Sequence, residues 1–160
     1  MAVDMFIKIG SIEGESKDKD HKGEIDVLAW SWGASQSGTF HQGGGGGAGK
    51  ANVQDLSFTK WVDKSSTELL MALVTGKHID EATLIVRKAG EKPLEYIKIV
   101  MKKLMVTSVS TGGSGGEDKL TENVTLNFAK VEVEYLPQKD DGTGDSAMTF
   151  TFDIEANSKD

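Results

Sequence analysis

A glycine run at residues 43–47 leads into a stretch whose spacing approaches a nucleotide-binding motif. Counted from Gly44, the chain reads G-x-x-x-x-G-K and ends on Lys50. A phosphate-binding loop places a Ser or Thr hydroxyl on Mg²⁺ directly after this lysine, but Ala51 stands there. The motif also needs a helix after the loop, whereas residues 51–58 indicate a strand. We therefore interpret the run as a flexible connection, because glycine maximises backbone freedom.

The remaining chemically capable side chains do not form a recognisable catalytic set. His21, His41 and His78 are scattered and lack the spacing of metal ligands. The acidic pairs at 117–118 and 140–141 fall in glycine-flanked loops, which predicts solvent-facing turn residues. The chain has no cysteine, hence no thiolate ligand or thiol nucleophile. We expect no enzyme activity, metal or cofactor, although a hydrolase whose groups meet only in space stays an alternative.

Two tryptophans, Trp30 and Trp32, are spaced so that they share one face of a strand. Paired indoles can form a platform for sugars or bases, but buried or interfacial tryptophan is the commoner use of such a pattern. The interpretation we favour is core or subunit interface. A small β-sandwich that binds carbohydrate or peptide is the alternative function.

Composition limits the partners. The 160 residues, 38% hydrophobic and 27% charged, suit one domain spanning 1–160. The formal net charge is -7 and Arg87 is the sole arginine, which disfavours nucleic acid. No apolar stretch approaches transmembrane length, so we expect no membrane insertion. Residues 1–8 lack the basic start and apolar run of a signal peptide, which predicts synthesis in the cytoplasm without export by the general secretory route.

Apolar periodicity predicts a mainly β fold, a β-barrel or two-sheet antiparallel sandwich with one short flanking α-helix. The predicted strands cover residues 3–9, 25–37, 56–62, 82–89, 94–110, 121–136 and about 147–154, the last within a tail at 137–160. Residues 10–23 form a polar connection, and residues 38–50 form a protruding glycine-rich loop. For the helix, Ser65 and Glu68 fit a capping box and Gly76 fits a C-terminal cap.

The two longest predicted strands indicate a bend and an assembly contact. Apolar residues occupy even positions from 124 to 128 and odd positions from 129 to 135. Such a parity switch predicts a bulge or bend, as where one strand bridges two sheets. Glu132 and Glu134 should lie opposite lysines of the 94–110 strand. Long antiparallel strands with an uncovered edge favour oligomerisation.

Several segments, taken together, resemble the Hcp (haemolysin-coregulated protein) family of type VI secretion tube proteins. They are MAVDMFIKIG (1–10), IDVLAWSWG (25–33), QSG (36–38), VQDLSFTK (53–60), GKH (76–78), VSTGGSGGED (109–118) and LTENVTLNF (120–128). The resemblance implies a β-barrel with a flanking helix, six copies closing into a ring, and rings stacking into a hollow tube. It also implies a spike protein at the tip, a contractile sheath outside, small effector proteins in the lumen, and secretion of the tube.

Two loops are assigned from this implied assembly. The ring-stacking loop comprises Phe40, His41, Gly43, Gly44, Gly45, Gly46 and Gly47. The lumen and effector contact comprises Gly113, Ser114 and Gly115, in the small polar loop between the two longest strands. The helix is expected to line or support the inner wall of the channel, with Leu69, Leu73 and Val74 turned to the barrel.

Overall fold

A computed structural model of the chain describes residues 3–38, 40–42 and 50–159. Within these ranges the elements, in chain order, are β1 (Val3–Ile9), β2 (Ile25–Ser31), β3 (Ala34–Ser35), a 3₁₀ turn (Phe40–Gln42), β4 (Asn52–Val53), β5 (Leu56–Trp61), α1 (Ser65–Thr75), β6 (Ile79–Lys88), β7 (Leu94–Thr111), β8 (Thr121–Tyr135) and β9 (Met148–Asp153). The predicted mainly β class with one short helix is confirmed.

Six of the strands close into a barrel. They pair antiparallel in the order β5-β2-β1-β6-β7-β8, and β8 pairs back onto β5. Strand β9 adds to the outer side of β8, and β3 and β4 form a separate two-stranded sheet. Of the two predicted architectures, the barrel is the one that forms.

The barrel interior is filled by the alternate residues of each strand, as a half-buried strand requires. Among the fully buried side chains are Ile7, Ile25, Leu56, Leu84, Met101 and Leu126. The helix α1 packs on β7 and buries Leu69 and Ala72. Val74 is 71% exposed, so its expected orientation toward the barrel is wrong. The buried stripe of α1 is 65, 66, 69 and 72, which leaves 74 on the far side at 100° per residue.

The start of α1 differs from the predicted capping box. Lys64 holds the N-cap position and makes no side-chain cap hydrogen bond. Instead, Asp63 Oδ1 accepts the backbone N–H of Ser65 at 2.8 Å, and Ser66 Oγ accepts the backbone N–H of Asp63 at 3.0 Å. The reciprocal pair is therefore shifted two residues toward the N-terminus. Gly76 ends the helix with φ 63°, as predicted.

The parity switch of β8 is confirmed. Phe128 is buried on the even side and Val131 on the odd side. The matching position of β7 is Lys103, which has φ 53° and lies between two regular pairs of the ladder. At this point the side that faces the core changes in both strands, and β8 passes from its pairing with β5 to its pairing with β9. A separate register shift inserts Thr107 into β7.

The strand predicted at 25–37 is wrong in its second half. β2 ends at Ser31, and the Trp32 Nε1–H donates to the Gln54 carbonyl at 2.9 Å. The Gly33 carbonyl accepts the Gln54 backbone N–H at 2.9 Å. These bonds divert the chain out of the barrel into the small β3–β4 sheet.

Candidate assembly surfaces

An apolar surface extends beyond the barrel on β8 and β9. Antiparallel partners project their side chains to the same face, and the register pairs Val133 with Phe150 and Tyr135 with Met148. Met148 is 67% exposed, Phe150 50% and Tyr135 45%. We call Tyr135, Met148 and Phe150 the β9 apolar face. It continues the side that is buried at Val131, so the core-facing side of the sheet runs past the end of the barrel uncovered.

The opposite side of the same strands is polar. Lys98 pairs in register with Glu134, as the sequence predicts, and Thr149 lies on the other side of Glu134. The same expectation is wrong for Glu132, which pairs with Val100. β9 is also the end strand of its sheet, so one row of its backbone groups faces away from β8. An apolar face beside an open edge is a site where another chain can add.

A second surface has an unusual lack of charge. Two rows of outward-facing residues cross β2, β5, β8 and β7 in register. They are Ser31, Ser57, Thr125 and Ser108 in one row, and Ala29, Thr59, Asn123 and Ser110 in the other. We call these eight residues the uncharged wall. Thr59 Oγ1 donates to Asn123 Oδ1 at 2.7 Å, so part of the wall is internally hydrogen-bonded.

Every side chain of the wall is small and uncharged, and all but Ala29 are polar, although 27% of the chain is charged. The charged residue Asp55 borders the wall and accepts hydrogen bonds from Thr107 at 2.9 Å and Asn127 at 2.8 Å. A surface of hydroxyl, amide and methyl groups presents neither a charge nor a large apolar patch.

The predicted lumen loop leaves the end of this wall. It joins Thr111 of β7 to Thr121 of β8, and Ser114 is exposed at its tip. A Cβ on Gly113 would lie 2.5 Å from the Leu120 side chain, whereas Gly115 has open space. A larger residue at Gly113 would therefore clash with Leu120, whereas Ser114 and Gly115 are exposed and Gly115 has open space around it.

The predicted ring-stacking loop is described only in part. Phe40 is 81% exposed within the 3₁₀ turn, and His41 is exposed beside it. Residues 43–47 lie outside the described residues. Lys50 is exposed.

The tryptophan pair does not form an open platform. Trp30 and Trp32 are both half-buried and pack against the barrel core. The Trp32 ring centroid lies 6.4 Å from that of Phe128. The core interpretation is confirmed, and nothing at this pair favours a carbohydrate or peptide site.

Charged clusters inside and against the barrel were missed by the sequence reasoning. Lys60 is fully buried and forms an ion pair with Glu122, which is 2% exposed. Lys60 Nζ also donates to Ser66 Oγ at 3.2 Å and lies 3.1 Å from Asp63 Oδ1. The alternation of β5 indicates the burial of Lys60, because Lys60 follows Leu56 and Phe58 at the inward positions of the strand.

Arg87 is the centre of another cluster. Its guanidinium donates to Asp18 Oδ2 at 2.5 Å and to Asp4 Oδ2 at 3.1 Å, and lies 5.2 Å from the Phe6 ring centroid. The hydrogen bond from Arg87 lowers the pKa of Asp18 to about 2, and the same bond raises the pKa of Arg87.

No group of three or more metal-capable side chains converges within the described ranges. Nor does that part of the chain contain a helix long and apolar enough to cross a membrane.

The fold and surfaces define a closed barrel with an uncovered apolar extension, and comparison with known proteins identifies its class. Residues 6–135 match the family model described as type VI secretion system effector, Hcp, so the chain belongs to the Hcp family. It is 68% identical to Protein hcp1 of Pseudomonas aeruginosa over 159 residues, covering 98% of each chain.

Solved structures agree. A protein described as a type six secretion system protein superposes with a TM-score of 0.94 at 30% identity, covering 99% of this chain and 100% of the other. Hcp1 of Salmonella typhimurium superposes with a TM-score of 0.80 at 36% identity, covering both chains completely.

Proposed function

We propose that the protein is the structural subunit of a type VI secretion inner tube. Six copies form a ring, rings stack into a hollow tube, and the tube is secreted through the apparatus with small effector proteins in its lumen. A spike protein at the tip and a contractile sheath are its other partners. The protein works by assembly and not by turnover of a substrate.

The observation that carries the proposal is the β9 apolar face. Large apolar side chains more than 40% exposed beside an open strand edge are a liability in a monomer. A second copy that covers the face removes the liability. If the face met the same face of a second copy, assembly would stop at a dimer, so a ring requires that the β9 apolar face meet a different surface of the next copy in a head-to-tail contact. Head-to-tail contacts close into rings when the rotation divides a full turn.

The uncharged wall supports the placement of the lumen. Cargo that must enter and leave a tube needs a lining without strong charges or large apolar patches, because either would hold it. The wall meets this need, and Ser114 and Gly115 extend it at one end. We place both toward the channel.

The ring-stacking role of Phe40, His41 and residues 43–47 rests on the family resemblance and on the exposure of Phe40. A ring needs a contact along its axis to stack on the next one. A large aromatic side chain that is 81% exposed is suited to such a contact, since aromatic groups dominate interface energetics.

Negative-stain electron microscopy of the purified protein tests the proposal. We expect six-lobed rings with an open centre, and stacks of rings at high concentration. A variant lacking residues 43–47 should give the same rings without stacks. A field of single small particles at micromolar concentration would contradict the proposed function.

A further inference from the structure

The connection between β1 and β2 is a folded strap held against the barrel. We call residues 13–24 the strap. It closes on itself through backbone hydrogen bonds, from Gly14 N–H to the Gly23 carbonyl at 2.8 Å and from Gly23 N–H to the Ser16 carbonyl at 2.9 Å. The strap has exposed lysines at 17, 19 and 22, yet its His21 is only 7% exposed.

His21 is clamped between two carboxylates from different parts of the chain. Its Nδ1 lies 2.9 Å from Glu24 Oε2 within the strap. Its Nε2 lies 2.6 Å from Glu95 Oε1 at the start of β7. The ring also stacks on Phe6 of β1, with centroids 4.5 Å apart and planes inclined by 14°. The ring therefore ties the strap to two barrel strands at once.

Both contacts are satisfied only when the ring carries two protons. A neutral imidazole has one N–H and one lone pair, whereas the imidazolium donates from both nitrogens. Ionised carboxylates only accept. In the neutral ring, one nitrogen lone pair would therefore face a carboxylate oxygen at less than 3 Å.

The charges around the ring favour its cationic form. The groups that face it or its immediate neighbours are carboxylates from the strap, β1 and β7, together with one guanidinium from β6. They are Glu24, Asp18, Asp20, Asp4, Glu95 and Arg87. Arg87 lies against Phe6, and its charge is balanced by ion pairs with Asp4 and Asp18.

We propose that His21 is a pH-responsive clasp. Its imidazolium fastens the strap to β7, and loss of one proton from the ring releases the part of the strap around His21. Burial acts to lower the pKa of His21, and the hydrogen bonds to Glu24 and Glu95 together outweigh it, so the pKa lies above 6.5. A raised pKa means that the clasp's stabilisation is fully present below pH 6.5. It is lost as the pH rises through the folded-state value.

Release affects only part of the strap. Glu15 Oε2 accepts the Lys64 backbone N–H at 2.7 Å before α1, and Asp18 stays bound to Arg87. Neither bond needs a protonated histidine. The backbone hydrogen bonds between Gly23 and residues 14 and 16 also persist, so the movement is confined to residues 19–22 and the barrel stays folded.

Proton NMR of the His21 ring through a pH titration tests the clasp. We expect a midpoint above 6.5 in the native protein and a midpoint lower by about one pH unit in Glu95→Gln, which removes one of the two charges. Glu91→Gln, in the loop before β7, is the matched control and should leave the midpoint unchanged. A native midpoint at or below 6.5, or equal midpoints in the native protein and Glu95→Gln, would overturn the proposal.

Trypsin then reports on release, since Lys19 and Lys22 lie in the part that moves. After correction for the enzyme's activity on an unstructured peptide at each pH, cleavage at these lysines should rise as the His21 ring deprotonates. In Glu95→Gln the rise should be smaller, because the glutamine amide can accept from the protonated ring and donate to the Nε2 of the neutral ring. Cleavage that follows no titration of the ring would show that the strap is held by other contacts and would refute the clasp.

Discussion

Lys60 and Glu122 face each other in register across β5 and β8, and their side chains form an ion pair inside the barrel. Ser66 Oγ donates to Glu122 Oε1 at 2.5 Å, so the first turn of α1 joins the same cluster. The pair thus links two barrel strands to the helix at a point that water does not reach.

Breaking this pair should be costly. Lys60→Met leaves the Glu122 carboxylate buried without its cation, and we expect a loss of about 3–5 kcal/mol in the free energy of unfolding. Urea denaturation measures it. Lys64→Met removes an exposed lysine that lies 3.4 Å from Glu13 and should change stability by less than about 1 kcal/mol. The double variant Lys60→Met with Glu122→Leu should be more stable than Lys60→Met alone. Equal stability of these two variants would show that the unpaired Glu122 carboxylate is not the cause of the loss.

The β9 apolar face should be required for assembly. Phe150→Lys places a charge in the centre of the face and should shift the protein toward monomer in size-exclusion chromatography. Thr149→Lys is the matched control, because the neighbouring residue points to the polar side opposite Glu134. Equal elution of the two variants would remove the β9 apolar face from the proposed interface.

Ser114 tests the lumen assignment. Ser114→Gln should reduce the amount of effector retained by the ring while leaving the ring mass unchanged. Ser146→Gln, at an exposed position between β8 and β9, should retain effector normally. A structure of the assembled ring with Ser114 on its outer surface would rule the assignment out.

Acid should reveal the contribution of Asp18. Its pKa is lowered from 3.8 to about 2 by Arg87, so its stabilisation is present above pH 3.8 and is lost as the pH falls through about 2. Asp18→Asn should lower the melting temperature at pH 6, and the difference from the native protein should shrink between pH 4 and pH 2. Asp20→Asn, whose carboxylate lies 3.7 Å from Arg87 and is 62% exposed, should show a smaller effect. A difference for Asp18→Asn that does not change with pH would contradict the ion-pair explanation.

The sequence predicted the elements whose apolar period is regular. β1, the two long strands and the helix ending at Gly76 follow directly from alternation or helical spacing. The bend in β8 could also be predicted, because a change of apolar residues from even to odd positions in a buried strand requires that the strand change the side it presents to the core.

Features that depend on distant partners were not predictable in this way. Lys60 and Glu122 are 62 positions apart and His21 and Glu95 are 74 apart, so no local pattern relates them. β2 stops early because Trp32 bonds to Gln54, and the exposure of Val74 depends on which side of α1 meets the barrel. Tertiary packing decides such cases over local propensity.

The central claim is that the protein closes into a six-membered ring, and the molar mass in solution tests it most directly. Light scattering coupled to size-exclusion chromatography at micromolar concentration should give about 103 kDa, which is six times the chain mass of 17.2 kDa. A single species of 17.2 kDa under the same conditions would contradict the account.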